Sequence, residues 1–489
     1  MSDINFNKPQ RLSKPGILLI FGKNLVDLIK GLWPIGVFLL LKKNIPDYFF
    51  FILLIFLVFL MVYSIIAFMK FTFWFNDKEF VLRKGVFRKT IVNIPIGRIT
   101  SVNTEQNALQ QIFKVYTAKI ETAGSELTEA KLWAVNHDVV AELQKLALTG
   151  KTVISDATDI TLPVTGDSVV INLKDVDLLK VGLSLNPLAG IALLTAAVYS
   201  VIDSLNNVIR EWISKTLDSA YNQVTGSNTL VILFLTFFIL IVSIAINILR
   251  TFIKHYHFSM SRSIDGYRVE EGLFTRKKVL LKSRKVQMIE TITNPVKRIF
   301  GLNTIWFRQF SDFENFRNSP VVVPGASDGK KADLLNEIFP GITDDEYQYF
   351  KPAGGYRLSI FIRFALVPII PVFLSGFFNP GIFIPAFIYL ALSIPACLVY
   401  TKKRTLAINS GRLIFGSGII GLKQSYSEII KVQSITLKQS IWMKRKGVAS
   451  VHFSFASDTL SIPYIPVLQA KELMNYCLFR IESSDKHWM

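Results

Sequence analysis

The stretch FVLRKGVFRKTIVNIPIGRITSV, residues 80–102, is the most informative part of the chain because its pattern returns twice without gaps. The later copies read YRVEEGLFTRKKVLLKSRKVQMI (residues 267–289) and LIFGSGIIGLKQSYSEIIKVQSI (residues 413–435). Three positions carry the match, namely a glycine, a basic residue and the aliphatic residue after it: Gly85, Gly272 and Gly418; Arg98, Lys285 and Lys431; Ile99, Val286 and Val432. A repeat of this kind predicts three structural modules with one fold.

Each module is predicted to be an antiparallel sheet closed by one helix. In the first copy residues 71–75 are aromatic or β-branched and residues 80–83 form a second short strand, so Gly85 serves the following turn, where glycine suits positive φ. In the third copy Val451, Phe453 and Phe455 alternate with polar residues, which predicts a half-buried strand. Amphipathic helices are predicted to end the modules, at residues 137–148, 328–338 and 467–481.

Long apolar runs between the modules predict a membrane protein. The chain has 489 residues, of which 51% are hydrophobic, and its mean hydropathy is +0.39. Six transmembrane helices are predicted in three pairs: 24–42 with 48–69, 183–203 with 229–253, and 360–378 with 382–400. Lys23, Asp27 and Lys30 form one polar stripe, which favours an interfacial helix over residues 16–30; one tilted helix is the alternative.

The predicted fold class is therefore membrane α + β, with a β-rich module after each helical hairpin. The predicted segments are an interfacial helix with hairpin 1 (1–69), module 1 (70–150), a linker with an interfacial segment (151–182), hairpin 2 (183–253), module 2 (254–345), hairpin 3 (357–400) and module 3 (401–484).

The charge distribution predicts which side of the membrane holds the modules. The net charge is +19, and the basic residues cluster beside the helix ends that lead into the modules, which the positive-inside rule places in the cytoplasm. Both termini and all modules are thus expected to be cytoplasmic in the cell membrane, although Lys42 and Lys43 favour the opposite side. A nucleic-acid partner is not expected, because no nucleic-acid-binding motif accompanies the charge.

Basic residues are the candidate binding groups, with anionic lipid head groups or protein partners as their ligands. About 1 kcal/mol is expected for each base placed at an anionic membrane surface, and an ordinary solvated face is the alternative. The candidates are Arg98, Lys285 and Lys431 at one repeat position, Arg276, Lys277, Lys278, Lys282 and Arg284 in the second copy, and Lys444, Arg445 and Lys446 in the third.

Catalysis is not predicted, because the chain has no phosphate-binding loop, no HExxH or GxSxG motif and no CxxC pair. His255 and His257 share one face if their segment is a strand, but no third metal ligand is evident, so an interfacial strand without a metal or cofactor is predicted. Five prolines of the third hairpin favour a transporter instead: Pro368, Pro371, Pro380, Pro385 and Pro395.

The first copy also carries a longer motif, made of Ile94-Pro95, Arg98-Ile99, Ser101-Val102, Gln106-Asn107, Leu109, Phe113 and the run 121–124. With it the whole chain resembles the bacterial pleckstrin-homology-like (PH-like) transmembrane proteins of the YdbT type. The resemblance implies PH-like modules, a membrane location, a companion that is a smaller single-repeat PH-like protein, and a link to envelope stress or antimicrobial-peptide resistance. We therefore expect a non-enzymatic membrane scaffold, with a component of a transporter or channel as the alternative.

Overall fold

The computed structural model describes thirteen segments of the chain. They are residues 8–41, 47–76, 79–122, 130–149, 169–187, 190–191, 196, 229–263, 266–309, 321–342, 346–376, 383–409 and 411–484. These segments form two compact units. The first lies within residues 1–167, 174–259 and 269–280, and the second within 168–173, 260–268 and 281–489.

The same order of elements occurs three times in the chain. Each repeat begins with a short strand and hydrophobic helices, continues with two groups of three strands, and ends with a helix. The described helices are α1 (Gly16–Leu41), α2 (Asp47–Lys70), α3 (Ala108–Ile112), α4 (His137–Thr149), α5 (Asp175–Leu183), α6 (Thr229–His255), α7 (Pro295–Ile299), α8 (Asp328–Ile338), α9 (Gly355–Phe361), α10 (Val367–Gly376), α11 (Phe383–Lys403), α12 (Ile441–Arg445) and α13 (Val467–Glu482).

The strands of the first repeat are β1 (Gln10–Arg11), β2 (Thr72–Asn76), β3 (Glu79–Lys84), β4 (Thr90–Pro95), β5 (Ile99–Gln106), β6 (Tyr116–Thr122) and β7 (Ala130–Val135). Those of the second are β8 (Val169–Asn172), β9 (Ser259–Ser263), β10 (Gly266–Glu271), β11 (Arg276–Lys282), β12 (Val286–Thr293), β13 (Leu302–Gln309) and β14 (Val321–Ser327). Those of the third are β15 (Gln348–Phe350), β16 (Thr405–Ile408), β17 (Arg412–Ser417), β18 (Leu422–Glu428), β19 (Val432–Lys438), β20 (Val448–Phe455) and β21 (Thr459–Pro466).

The core of the first module shows how these strands and helices pack. Phe73, Phe80 and Leu82 are at most 1% exposed, and Leu143 of α4 lies in the same apolar cluster. Each such side chain contributes about 1.5–3 kcal/mol when it leaves water. Ile17 of α1 packs against this cluster too, so the beginning of the first hydrophobic helix belongs to the core of the module.

The shared glycine lies in the turn of each hairpin, as the sequence predicts. Gly85, Gly272 and Gly418 have φ values of 109°, 109° and 130°. A Cβ atom at any of them would collide with the backbone carbonyl oxygen three residues later. Positive φ and this close approach together explain why all three copies keep glycine there.

The hairpin of one repeat completes the sheet of the repeat before it. In the first unit β11 pairs antiparallel with β5, Lys278 lying opposite Thr104. In the second unit β18 pairs antiparallel with β12, Gln424 lying opposite Thr291. We call these two strand pairings, β5 with β11 and β12 with β18, the joints between repeats. Because they occupy equivalent repeat positions, both joints have the same register. The second unit therefore holds a seven-stranded sheet in the order β14-β13-β12-β18-β17-β16-β15.

Most of the predicted elements are confirmed. The predicted final helices correspond to α4, α8 and α13, and Val451, Phe453 and Phe455 are buried on β20. Residues 16–41 form one continuous helix, with no break at Gly31 or Pro34. The strand predicted for His255 and His257 is wrong, because α6 continues to His255 and His257 lies in a turn with φ of 49°.

Three described helices are long and apolar enough to cross a membrane: Phe51–Lys70, Phe237–His255 and Ala386–Lys403. Their outer faces expose many large side chains, such as Phe51 at 67% and Phe387 at 66%, a pattern that suits contact with lipid rather than water. The predicted span at 183–203 lies mostly outside the described residues, and residues 204–228, which separate it from its predicted partner helix, lie entirely outside them.

Candidate functional site

A basic pocket of about 450 Å³ lies in the second unit, where the helices of the third repeat meet the strands of their module. It is lined by aromatic rings, hydroxyl groups and two arginines. The lining residues that carry its chemistry are Tyr356, Arg363, Tyr400, Arg404, His452 and Tyr464. Because α9 begins and α11 ends here, the pocket lies at the boundary between the hydrophobic helices of the third repeat and its polar module.

Arg363 reaches this pocket from a π-helical segment, Ile362–Leu366, that joins α9 to α10. The carbonyl of Phe364 accepts a hydrogen bond from the Tyr389 hydroxyl on α11, and the residue four positions later, Pro368, has no N–H that could donate to it. Short π segments inside α-helices are frequent at functional sites. This segment therefore directs Arg363 toward the pocket, and the hydrogen bond from Tyr389 of α11 stabilises the segment.

Arg404 follows directly after α11 and is fixed by the last strand of the module. Its Nη2 donates to the Ser461 carbonyl at 2.7 Å and lies 3.2 Å from the Ser461 hydroxyl. Tyr464, also on β21, has φ of 56° although it is not glycine, a conformation that costs about 1–3 kcal/mol. Its ring packs 5.5 Å from that of Tyr356, which closes one wall of the pocket.

The charges of this pocket are of one sign. Among the described residues, those that line it include two arginines and no aspartate or glutamate. Burial lowers the pKa of His452, and the positive charges of Lys438 and Arg404 lower it further. Lys446 lies beside the pocket, since a Cβ atom at Gly355 would be 3.6 Å from its Nζ. The arrangement is therefore suited to an anion such as a phosphate group.

A second cleft, in the first unit, has mixed charge. It has a volume of about 340 Å³ and is lined by Arg276, Lys277 and Lys278 together with Glu105, Glu270 and Glu271. Lys278 pairs with Glu270 at 3.0 Å. Because these bases face carboxylates, the cleft offers less unpaired positive charge than the pocket of the third repeat.

The candidate bases of the repeat position have different surroundings. Lys431 is 8% exposed, donates to the Val286 carbonyl at 2.8 Å, pairs with Glu428 at 3.0 Å and lies over the Phe339 ring. Lys285 is half-buried and Arg98 is exposed. The Lys431 ammonium is thus already paired with groups of the second unit.

The other candidates are also dispersed. Lys282 is buried, whereas Arg284 is exposed, and both belong to the second unit. Lys444, Arg445 and Lys446 are exposed around α12, where the Arg445 guanidinium stacks on the Trp442 ring at 5.4 Å. Trp442 is 70% exposed, and an exposed tryptophan beside bases is typical of a membrane interface.

The histidines do not form a metal site in the described part of the chain. The His255 Nδ1 atom lies 2.6 Å from Glu271 Oε2, and no cluster of metal-ligating side chains is found among the described residues. Arg404 and His452 are functional candidates that sequence reasoning missed. Arg404 ends a run of three bases after an apolar helix, a pattern that the positive-inside rule explains without any role in binding.

Three sheet modules, each closed by a helix and each joined to hydrophobic helices, define a tandem PH-like membrane protein. The model of the bacterial PH domain family matches residues 31–150, 212–336 and 364–480, and the chain belongs to this family. It is similar to UPF0699 transmembrane protein YdbT of Bacillus subtilis (strain 168), with 22% identity over 475 residues that cover 93% of this chain and 94% of the relative. The resemblance stated from the sequence is thereby confirmed. This is a family of PH-domain transmembrane proteins and is not known as a family of enzymes.

Proposed function

We propose that the chain is a multi-pass scaffold of the cell membrane whose third module holds the phosphate of an anionic lipid. Six transmembrane helices in three hairpins would anchor the modules, with both termini in the cytoplasm and the module boundaries as predicted from the sequence. The remaining modules would present polar surfaces to protein partners, including a smaller single-repeat PH-like protein.

The pocket of Arg363 and Arg404 carries this proposal. Both guanidinium groups line it, and no carboxylate is found among its lining residues. A guanidinium matches the geometry of phosphate oxygens and remains charged at every physiological pH. Since α9 begins and α11 ends at the pocket, a lipid bound there would keep its chains beside the hydrophobic helices while its phosphate contacts the arginines.

The basic ends of the helices support the proposed orientation. Lys70 ends α2, Lys254 and His255 end α6, and Lys402 and Lys403 end α11. All these ends lead directly into strands of a module. A reporter fused after residue 260 tests this orientation, because activity outside the cell would contradict it.

Lipid retention tests the pocket itself. The full-length protein would be placed in nanodiscs of phosphatidylglycerol and phosphatidylcholine, and native mass spectrometry would count the phosphatidylglycerol that stays bound. We expect the double variant Arg363→Gln and Arg404→Gln to retain at least about tenfold less, since each charged hydrogen bond contributes about 1.5–3 kcal/mol.

Arg357→Gln is the matched control, because Arg357 is an exposed arginine of α9 that does not line the pocket. It should retain phosphatidylglycerol like the unchanged protein. Equal retention by the double variant and this control would contradict the lipid site.

Transport is the second candidate function. The π segment at Ile362–Leu366 and Pro395 inside α11 both interrupt regular helix in the third hairpin, and broken helices are common in transporters. A flux assay on liposomes distinguishes the two functions. Solute movement that is lost in Arg363→Gln favours transport, whereas absence of flux together with a stoichiometric membrane partner favours the scaffold.

A further inference from the structure

The third repeat has an open sheet edge where the first two repeats have a partner strand. β5, β12 and β19 are equivalent strands. The described residues of β5 are buried except Glu105, and the first six residues of β12 are all buried. By contrast Gln433, Ser434, Thr436 and Lys438 of β19 are exposed. In the described part of the chain, β19 pairs with β20 alone.

The first repeat has the complementary feature, which is a hairpin with no sheet to join. β4 is equivalent to β11 and β18, the strands that complete the sheets of the two joints. Among the described residues β4 pairs only with β3. Thr90, Ile91 and Asn93 are exposed, Ile91 at 61%. Within the described segments, the third repeat thus has an acceptor strand without a partner strand, and the first repeat has a donor strand without one.

We propose that β4 of one copy of this chain adds to the β19 edge of a second copy. Strand addition to a free edge is a common mode of recognition, in which backbone hydrogen bonds supply the affinity. The register of the two joints determines the register of the proposed contact. Thr104 opposite Lys278 and Thr291 opposite Gln424 are equivalent pairs, and their counterpart places Leu437 opposite Ile91.

Charge selects this pairing over the other combinations. Lys277 of β11 lies opposite Glu105 of β5, and Lys423 of β18 forms an ion pair with Glu290 of β12 at 2.9 Å. β4 has no charged residue, and β19 has only Lys438 at its end. The neutral donor therefore matches the neutral acceptor, and their β-branched residues favour cross-strand packing.

A contact between two different surfaces of one chain repeats without closing unless its rotation forms a ring. Copies anchored in one membrane would therefore form rows, and shared anchoring raises the effective concentration of the two edges. The inference rests on the proposed membrane topology only in requiring that both edges face the same side.

Disulfide crosslinking in native membranes tests the contact. The full-length double variant Ile91→Cys and Leu437→Cys should give a ladder of dimers, trimers and larger species under mild oxidation, because paired strands bring Cα atoms within disulfide range. The native Cys397 and Cys477 are buried. Mixing the two single variants should give dimers only.

Ile91→Cys with Lys438→Cys is the matched control, because Lys438 points to the other face of the strand and should crosslink at least about tenfold less. A disulfide confined to one chain, a single adduct with a different protein, or equal crosslinking of the control would each overturn the proposal. Loss of lipid retention in the Arg363 and Arg404 variants would leave the ladder unchanged, so failures of the two proposals can be distinguished.

Discussion

The two joints between repeats share one backbone register but differ in the polar groups behind it. At the first joint Asn103 of β5 accepts from the Leu280 amide at 3.2 Å and donates to Glu121 at 2.6 Å. At the second joint the equivalent position holds Glu290, which is fully buried. Its carboxylate pairs with Arg308 at 3.1 Å and with Lys423 at 2.9 Å.

This difference distinguishes the interactions that determine the register from the interactions that stabilise each joint. Backbone pairing and the glycine turn are common to both joints, so they determine how the hairpin docks. The side chains behind the two joints differ in chemistry, so each set is suited to its own hairpin. A buried charge network strongly prefers its own partner, because any mismatch leaves a charge without compensation.

The largest difference between the joints should come from removing the buried acid. Glu290→Ala leaves Arg308, which is 15% exposed, without its nearest carboxylate. We expect a loss of about 4 kcal/mol in the free energy of unfolding. Asn103→Ala at the first joint should lose only about 1–2 kcal/mol. Chemical denaturation of the detergent-solubilised protein measures both, and equal losses would contradict the comparison.

The hairpin turns should respond alike at both joints. Gly272→Ala and Gly418→Ala each place a side chain at positive φ, where it meets a backbone carbonyl. We expect each to cost about 3 kcal/mol. Gly329→Ala in α8 is the control, because a Cβ atom there meets open space, and its unfolding free energy should change by less than about 1 kcal/mol. A similar small change at Gly272 would show that the turn is not constrained.

One buried position differs in all three repeats. Gln110, Lys297 and Met443 are equivalent and buried. The Lys297 ammonium donates to Thr304 at 2.7 Å, and burial lowers the pKa of Lys297 to about 8. The lowered pKa corresponds to a cost of about 3 kcal/mol near neutral pH, and loss of the Thr304 hydrogen bond offsets about 1 kcal/mol of the gain. Because Met already occupies the position in the third repeat, Lys297→Met should therefore stabilise the protein by about 2 kcal/mol.

The lowered pKa of Lys297 also determines how the free energy of unfolding changes with pH. The folded pKa of Lys297 is about 8 and the unfolded value is 10.5, so between them the unfolded chain binds more protons and stability rises with pH. Below pH 8 the contribution is constant. The rise between pH 8 and 10.5 should disappear in Lys297→Met, and its persistence in thermal unfolding curves would contradict the buried position of the ammonium.

The sequence predicted the elements of each module because periodicity and glycine act locally. The final helix at 328–338 matches α8 to the residue, and the turn at Gly85 has the positive φ expected of it. The joints could not be predicted, because strand pairing between repeats depends on contacts far apart in the chain. β1, β8 and β15 were missed for a related reason, since two to four residues carry no periodicity.

The site was predicted less completely than the fold. Lys446, a predicted binding residue, lies beside the pocket, whereas Arg363, Arg404 and His452 come together only because the π segment after α9, the end of α11 and β20 converge. Lys431 is among the residues predicted to contact a ligand, and its ammonium donates to the Val286 carbonyl. A base in the sequence does not reveal whether its charge is already compensated.

Paired cysteines at the two joints test the central claim that each hairpin completes the preceding sheet. The variants Thr104→Cys with Lys278→Cys and Thr291→Cys with Gln424→Cys should both form intramolecular disulfides, since each pair lies directly opposite in the sheet. Shifting one cysteine by a single residue, to Val279 or Ser425, should abolish the bond, because neighbouring side chains point to opposite faces. Disulfide formation that persists after this one-residue shift, or that fails at either joint, would contradict the claim that each hairpin completes the preceding sheet.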